Sequence, residues 1–375
     1  MSPRTAGAGP VLMLKGLMLK GLMLLAVLLG GCGEVYFYWQ AGAGQLDIIQ
    51  RRRPIVEVLA DPRTDGETRR KLNLILEAQK FASARLALPG DGHYRFYADL
   101  ERPQVTWLVV AAPPLELREH EFCYPLVGCL GYRGYFQRED ADELAARLIA
   151  DGLDVLVRPV SAYSTLGWFD DPVLNTFLEY SDAYLVGTVI HEQAHHRYFL
   201  KGDTTFNESF ASFVEEEGLA LYFGELSGLG PEMLERWRLA QVDRALFRSL
   251  VLQARANLME LYGSKAPDDQ KRAEKARILA DLVKEYRGRK NEFRVLDYDS
   301  WFGRPLNNAH LVGFGQYTSR VPAFRALFKR QSGSFQRFFE EVEALGKLPA
   351  GEREARLDQL EKELDSHHPP AGAAG

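Results

Sequence analysis

Between Gln45 and about Leu86 apolar residues return every three or four positions with charges between them, as in Leu72, Leu74, Ile75, Ala78 and Phe81. That spacing predicts helices. Past Pro89-Gly90-Asp91-Gly92 the pattern changes: Tyr94 to Tyr97, the continuous apolar run Val105 to Ala111, and Leu153 to Val157 read as strands, the last following a helix over Ala141 to Ile149. From Pro172 onward almost every segment has helical spacing, including a long charged stretch from Pro231 to Arg287 broken near Gly263 to Pro267. The predicted class is α+β, with a strand-bearing N-terminal region, 32–171, packed on a mainly helical region, 172–350. Residues 351–375 are expected to be a flexible tail, ending in Pro-Pro-Ala-Gly-Ala-Ala-Gly.

The first residues follow another logic. Arg4, Lys15 and Lys20 precede an apolar run from Leu22 to Leu29, and small residues follow before Cys32, the layout of an export signal over 1–31. The run is too short for a permanent span. Leu29-Gly30-Gly31-Cys32 resembles a bacterial lipobox, which implies that the Cys32 thiol carries a lipid and becomes the mature N-terminus. Gly33 after the cysteine is similar to the pattern sent to the outer membrane, so the chain is expected in the cell envelope, anchored by lipid and facing the periplasm.

The remaining composition is that of a globular protein, 46% hydrophobic and 26% charged. Loss of Arg4, Lys15 and Lys20 takes the net charge from -5 to -8, which offers no basic field for a phosphate backbone and argues against nucleic acid as a partner. An oxidising compartment permits disulfides. With Cys32 spent, Cys123 and Cys129 remain, separated by a stretch containing Pro125 and Gly128, and an internal pair between them is expected.

One segment carries chemistry. The apolar run from Tyr184 enters His191-Glu192-Gln193-Ala194-His195. Residues four apart share a helix face, so His191 and His195 can offer nitrogens to one ion. Glu192 sits beside them and can accept a proton from water that the ion activates. A catalytic zinc takes three protein ligands and keeps one position open. After the turn-like Lys201 to Thr205, a second helix starting near Asn207 would bring Asn207-Glu208-Ser209-Phe210-Ala211 back against the first.

HExxH followed by Asn-Glu-x-x-Ala resembles the gluzincin metallopeptidases, and the resemblance implies that Glu208 is the third zinc ligand. The longer run Val189 to Gly218, together with the lipobox, is similar to a bacterial lipoprotein family of predicted aminopeptidases. The likeness extends through Gly131 to Phe136, Ala162 to Trp168, and Asn307 to Phe324. It implies peptide substrates and one bound zinc ion.

Other residues are candidates for supporting roles. Related enzymes place a Tyr or His from a later segment on the oxyanion; here Tyr317, and then His310, stand in the stretch able to supply one. Tyr163 to Trp168 could pair with an extended peptide as an edge strand or belong to the core. Asp170, Asp171 and Glu179 are candidate acceptors for a substrate ammonium group. His196 reads as a supporting residue, Glu215 to Glu217 as a solvated charge run of which any member could orient a ligating imidazole, and Tyr198, Phe199, Phe206, Phe210 and Phe213 as core. Two rival functions remain open at this point: an endopeptidase with the same centre, and an envelope scaffold with structural zinc.

Overall fold

The computed structural model describes residues 32–90, 94–124, 128–161, 172–225, 230–314 and 320–366. Helix α1 (Cys32–Gln50) leads into strand β1 (Arg52–Pro54) and helices α2 (Ile55–Ala60) and α3 (Gly66–Leu86). Then come β2 (Phe96–Ala98), β3 (Thr106–Ala112), β4 (Phe122–Tyr124), β5 (Gly128–Leu130), β6 (Tyr132–Tyr135), α4 (Arg138–Ala150) and β7 (Asp154–Val160). Past β8 (Val173–Leu174) and α5 (Asn175–Leu178) the order is α6 (Asp182–Arg197), α7 (Thr204–Glu225), α8 (Gly230–Gly263) and α9 (Asp268–Gly288). The chain closes with α10 (Asp299–Phe302), α11 (Asn308–Leu311), α12 (Val321–Arg330), α13 (Phe335–Gly346) and α14 (Ala350–Ser366). The class is α+β.

The continuous apolar run of β3 forms the centre of the antiparallel sheet β6-β3-β7. Its buried Val109 and Ala111 face Ala141, Leu144, Ala145 and Leu148 of α4, and Phe37 of α1 closes the same cluster. The strand β1 is a further element, pairing with β2, whose other edge takes β8 in parallel. Cys123 and Cys129 face each other in the β4-β5 ladder and are joined by a disulfide.

The expected boundary at residue 171 does not divide the core. Helix α3 turns Leu72, Ile75, Ala78, Phe81, Ala82 and Leu86 into the cluster that holds α6 and α7, because its apolar stripe has no other surface to cover. A separate cluster joins α8 and α9 around Leu250, Val251, Leu258, Leu282 and Tyr286, with α10 and α11 packed on it.

A second correction concerns 351–375. Most of this stretch is α14, and its Leu357 and Leu360 are fully buried in the main cluster. Dense charge hid the element. That charge has specific partners: Arg320 meets Glu354, Asp358 and Glu361, while buried Arg353 pairs with Asp203 at 2.8 Å. Residues 1–31, read as the export signal, and 367–375 lie outside the described residues. We expect Leu357→Ala to cost roughly 2–5 kcal/mol, as for other buried leucines. A urea unfolding curve checks it; a midpoint equal to that of the parent would mean that α14 does not pack as described.

Candidate metal centre

Two helices and the turn between them build the site. Ser181 caps α6, its hydroxyl accepting from the Tyr184 backbone N–H at 3.3 Å, and the apolar residues that follow bury the rest of the helix. At the far end Asp203 accepts from Phe206 N–H at 3.0 Å and starts α7 three residues earlier than Asn207. Asn207 is freed for another task. Its buried amide accepts from Leu200 N–H and donates to Leu200 carbonyl, both at 2.8 Å, clamping the turn that links the helices.

The helices approach closely because glycine stands at their contact on both sides. A Cβ on Gly187 would lie 2.8 Å from Glu215 Oε1 and 3.1 Å from Leu219 Cδ1. On Gly218 it would lie 2.8 Å from Leu86 Cδ1 and 3.0 Å from Ile190. Behind the pair, Phe206, Phe210 and Phe213 are buried against Phe324, Phe338 and Phe339. The ligand-bearing faces thus rest on a packed aromatic layer.

This packing brings His191, His195 and Glu208 together. His191 Nε2 is 3.1 Å from His195 Nε2 and 3.5 Å from Glu208 Oε2, and His195 Nε2 is 3.5 Å from Glu208 Oε1. Ligands about 2.0–2.1 Å from a tetrahedral zinc stand roughly 3.4 Å apart, so the two ring nitrogens and the Glu208 carboxylate have the spacing and the N/N/O chemistry that fit one such ion. The imidazoles are mostly buried, 17% and 16% exposed, whereas Glu208 is 43% exposed and keeps its side of the cluster open.

Hydrogen bonding sets the ring roles. Glu215 Oε2 accepts from His191 Nδ1 at 3.2 Å, which fixes a proton there and aims Nε2 at the shared centre. Burial disfavours charge on both rings, yet the bonded carboxylates Glu208 and Glu215, with Glu192 adding its charge, raise His191 to about 9. His195, buried beside that imidazolium, is lowered to about 4. Glu208 is lowered too, by its hydrogen bond to His191. Without an ion the cluster therefore keeps its proton on His191.

A family model described as "Putative aminopeptidase" matches residues 36–357. The chain belongs to that family. No curated protein and no solved structure matches it. The match spans both helices of the cluster and all of the cores described above except Leu360 at the end of the main one.

Within this family member the other candidates are distributed unevenly. Glu192 follows His191 on α6 and acts on it electrostatically. Glu215 is the member of the acidic run that reaches the site, two turns past Glu208 on the same helix face; helical spacing could have singled it out. Glu216 and Glu217 instead pair with Arg325 of α12. His196 and Glu179 are exposed. Phe199, expected in the core, is 63% exposed, one turn past His195 with its ring edge toward that imidazole at 6.2 Å. The helix ends at Arg197, so Phe199 falls beyond the buried face of α6. His310 forms a capping box with Asn307 and packs against Trp301 in the α8-α9 cluster. Tyr317, Tyr163 to Trp168, Asp170 and Asp171 lie outside the described residues, and nothing is described of the Cys32 side chain.

The Glu215 contact predicts a graded loss of metal. Glu215→Gln keeps the shape and weakens the acceptor, and Gly187→Ala pushes the same carboxylate aside. Each should lower zinc affinity by roughly 10-fold or more. Competition with a chromophoric chelator measures it; unchanged affinity in both variants would remove Glu215 from the support of His191.

Proposed function

We propose that the chain is a zinc-dependent aminopeptidase of gluzincin type. The observation carrying this reading is the convergence of His191 Nε2, His195 Nε2 and a Glu208 oxygen, with a carboxylate at 192 and one side open to solvent. Zinc held by these three would polarise a peptide carbonyl and lower the pKa of water to about 7. Glu192 accepts the proton of the attacking water and returns it to the departing amine. Glu215 holds His191 in the tautomer that ligates. Tyr317 is assigned the hydrogen bond to the developing oxyanion. Preference for free N-termini rests on membership of the aminopeptidase family.

We also assign Cys32 as an acylated N-terminus that holds the protein at the outer membrane, facing the periplasm. The basic, apolar and small-residue regions that precede it in order support this.

Two carboxylate substitutions test the chemistry by different readouts. Glu208→Gln removes an anionic ligand, so zinc content per chain should fall. Glu192→Gln leaves the ligands in place, so zinc should stay near one per chain while turnover drops roughly 10²-fold or more. Plasma emission and product masses from a peptide library, read on the same preparations, decide the matter. Full activity of the Glu192→Gln protein would defeat the mechanism, and internal cleavage products would replace the aminopeptidase with an endopeptidase. The anchor has its own test: Cys32→Ser should accumulate unprocessed, and its normal maturation would remove the lipid.

A further inference from the structure

Helix α1 has two unlike faces. Phe37, Gln40 and Ile48 are buried, and Gly44 lies so near Phe136 that a Cβ there would meet its ring. Arg133 secures this side: its guanidinium stacks on Phe37 at 3.9 Å and bonds Glu34 at 2.7 Å. The helix is therefore held by the β6-β3-β7 body and does not swing from it. On the other face Val35, Trp39, Gly42 and Leu46 recur at helical spacing and are exposed, Trp39 at 66%. Tyr36 and Tyr38 flank them, also exposed.

We infer that this face of α1 is a membrane-docking surface that lies in the interface of the bilayer holding the acyl chain. The inference rests on the assignment of Cys32 as lipidated. Given that anchor, Val35 and Trp39 stand about 5 and 11 Å from it along the helix, near enough for the acyl chain to hold both against the same leaflet. Tryptophan and tyrosine are the side chains that settle at this depth, apolar ring toward the acyl region and polar edge toward water. Tyr36 already has its hydroxyl bonded to Asp140 on the protein side, at 2.9 Å. No described helix is long and apolar enough to cross a membrane, so α1 lies on the surface. Helix α1 contains no Lys or Arg, and Glu34 and Asp47 are its charged residues. Docking is thus driven by burial of rings and aliphatic groups, without attraction to anionic headgroups. Because α1 is pinned to the folded body, contact through this face gives the whole domain one orientation toward the lipid.

The test uses the full-length protein, processed in its host and reconstituted into phosphatidylethanolamine and phosphatidylglycerol vesicles with or without brominated acyl chains. The mass of the mature N-terminus is read separately and reports acylation of Cys32. The difference in emission between wild type and Trp39→Phe isolates Trp39 from the other tryptophans. Docking predicts that Trp39 emission is quenched by brominated lipid and shielded from aqueous iodide, to the same extent in high salt and without phosphatidylglycerol. Quenching by iodide and not by bromolipid, on acylated protein, would leave the anchor standing and overturn the docking. Shielding from both would mean that protein covers the face, and concentration-dependent assembly in detergent would identify a second copy as that cover; this too overturns the inference. An unacylated Cys32 would remove the anchor and the inference together.

Discussion

How closely two helices can approach governs the geometry of the His191, His195 and Glu208 cluster. Ligand atoms on different helices meet only if the backbones come near enough for an imidazole and a carboxylate to span the gap, and side chains at the contact set that distance. Glycine at 187 and 218 removes the obstruction on both sides. The space left at Gly187 is taken by the Glu215 carboxylate, which would otherwise be displaced from His191. One steric choice thus permits both the approach and the orientation of the first ligand. The phenylalanine layer behind α7 then keeps the pair from relaxing, since close-packed rings resist small shifts.

Charge gives the cluster its purpose. Glu192, Glu208 and Glu215 act on His191, and Glu208 also on His195, two imidazoles that burial would rather keep neutral. The carboxylates bonded to His191 favour positive charge there, and a proton on the ring supplies it in part. A divalent cation meets the same need with more charge and with directional bonds. It must displace that proton, which couples occupancy to pH.

The sequence was legible where a short period decides geometry. His191 and His195 are one helical turn apart, so their shared face follows from spacing alone. Glu208 required the pattern around it, because its place depends on a reversal of the chain that spacing does not describe. The reversal itself rests on Asn207, whose side chain clamps Leu200. Contacts between remote segments were harder to see. Helix α14 looks like a charged tail until Arg353 is placed against Asp203 at the start of α7, and α3 looks like part of the N-terminal half until its stripe meets α6. The stripe of α3 has its partners on α6 more than a hundred residues along the chain, and in α14 dense charge hides the leucines that pack inward.

The clamp at Asn207 also bears on when the centre forms. All three candidate ligands lie between residues 191 and 208, inside one helical hairpin closed by a short turn. Closing so short a loop costs little chain entropy, and pairing of neighbouring helices is among the early events of folding. The hairpin's contacts are local in sequence, whereas β8 reaches β2 and α14 reaches Asp203 from far along the chain. A metal ion held by these residues would add its binding free energy to the formation of this hairpin, the surface onto which the remaining segments pack.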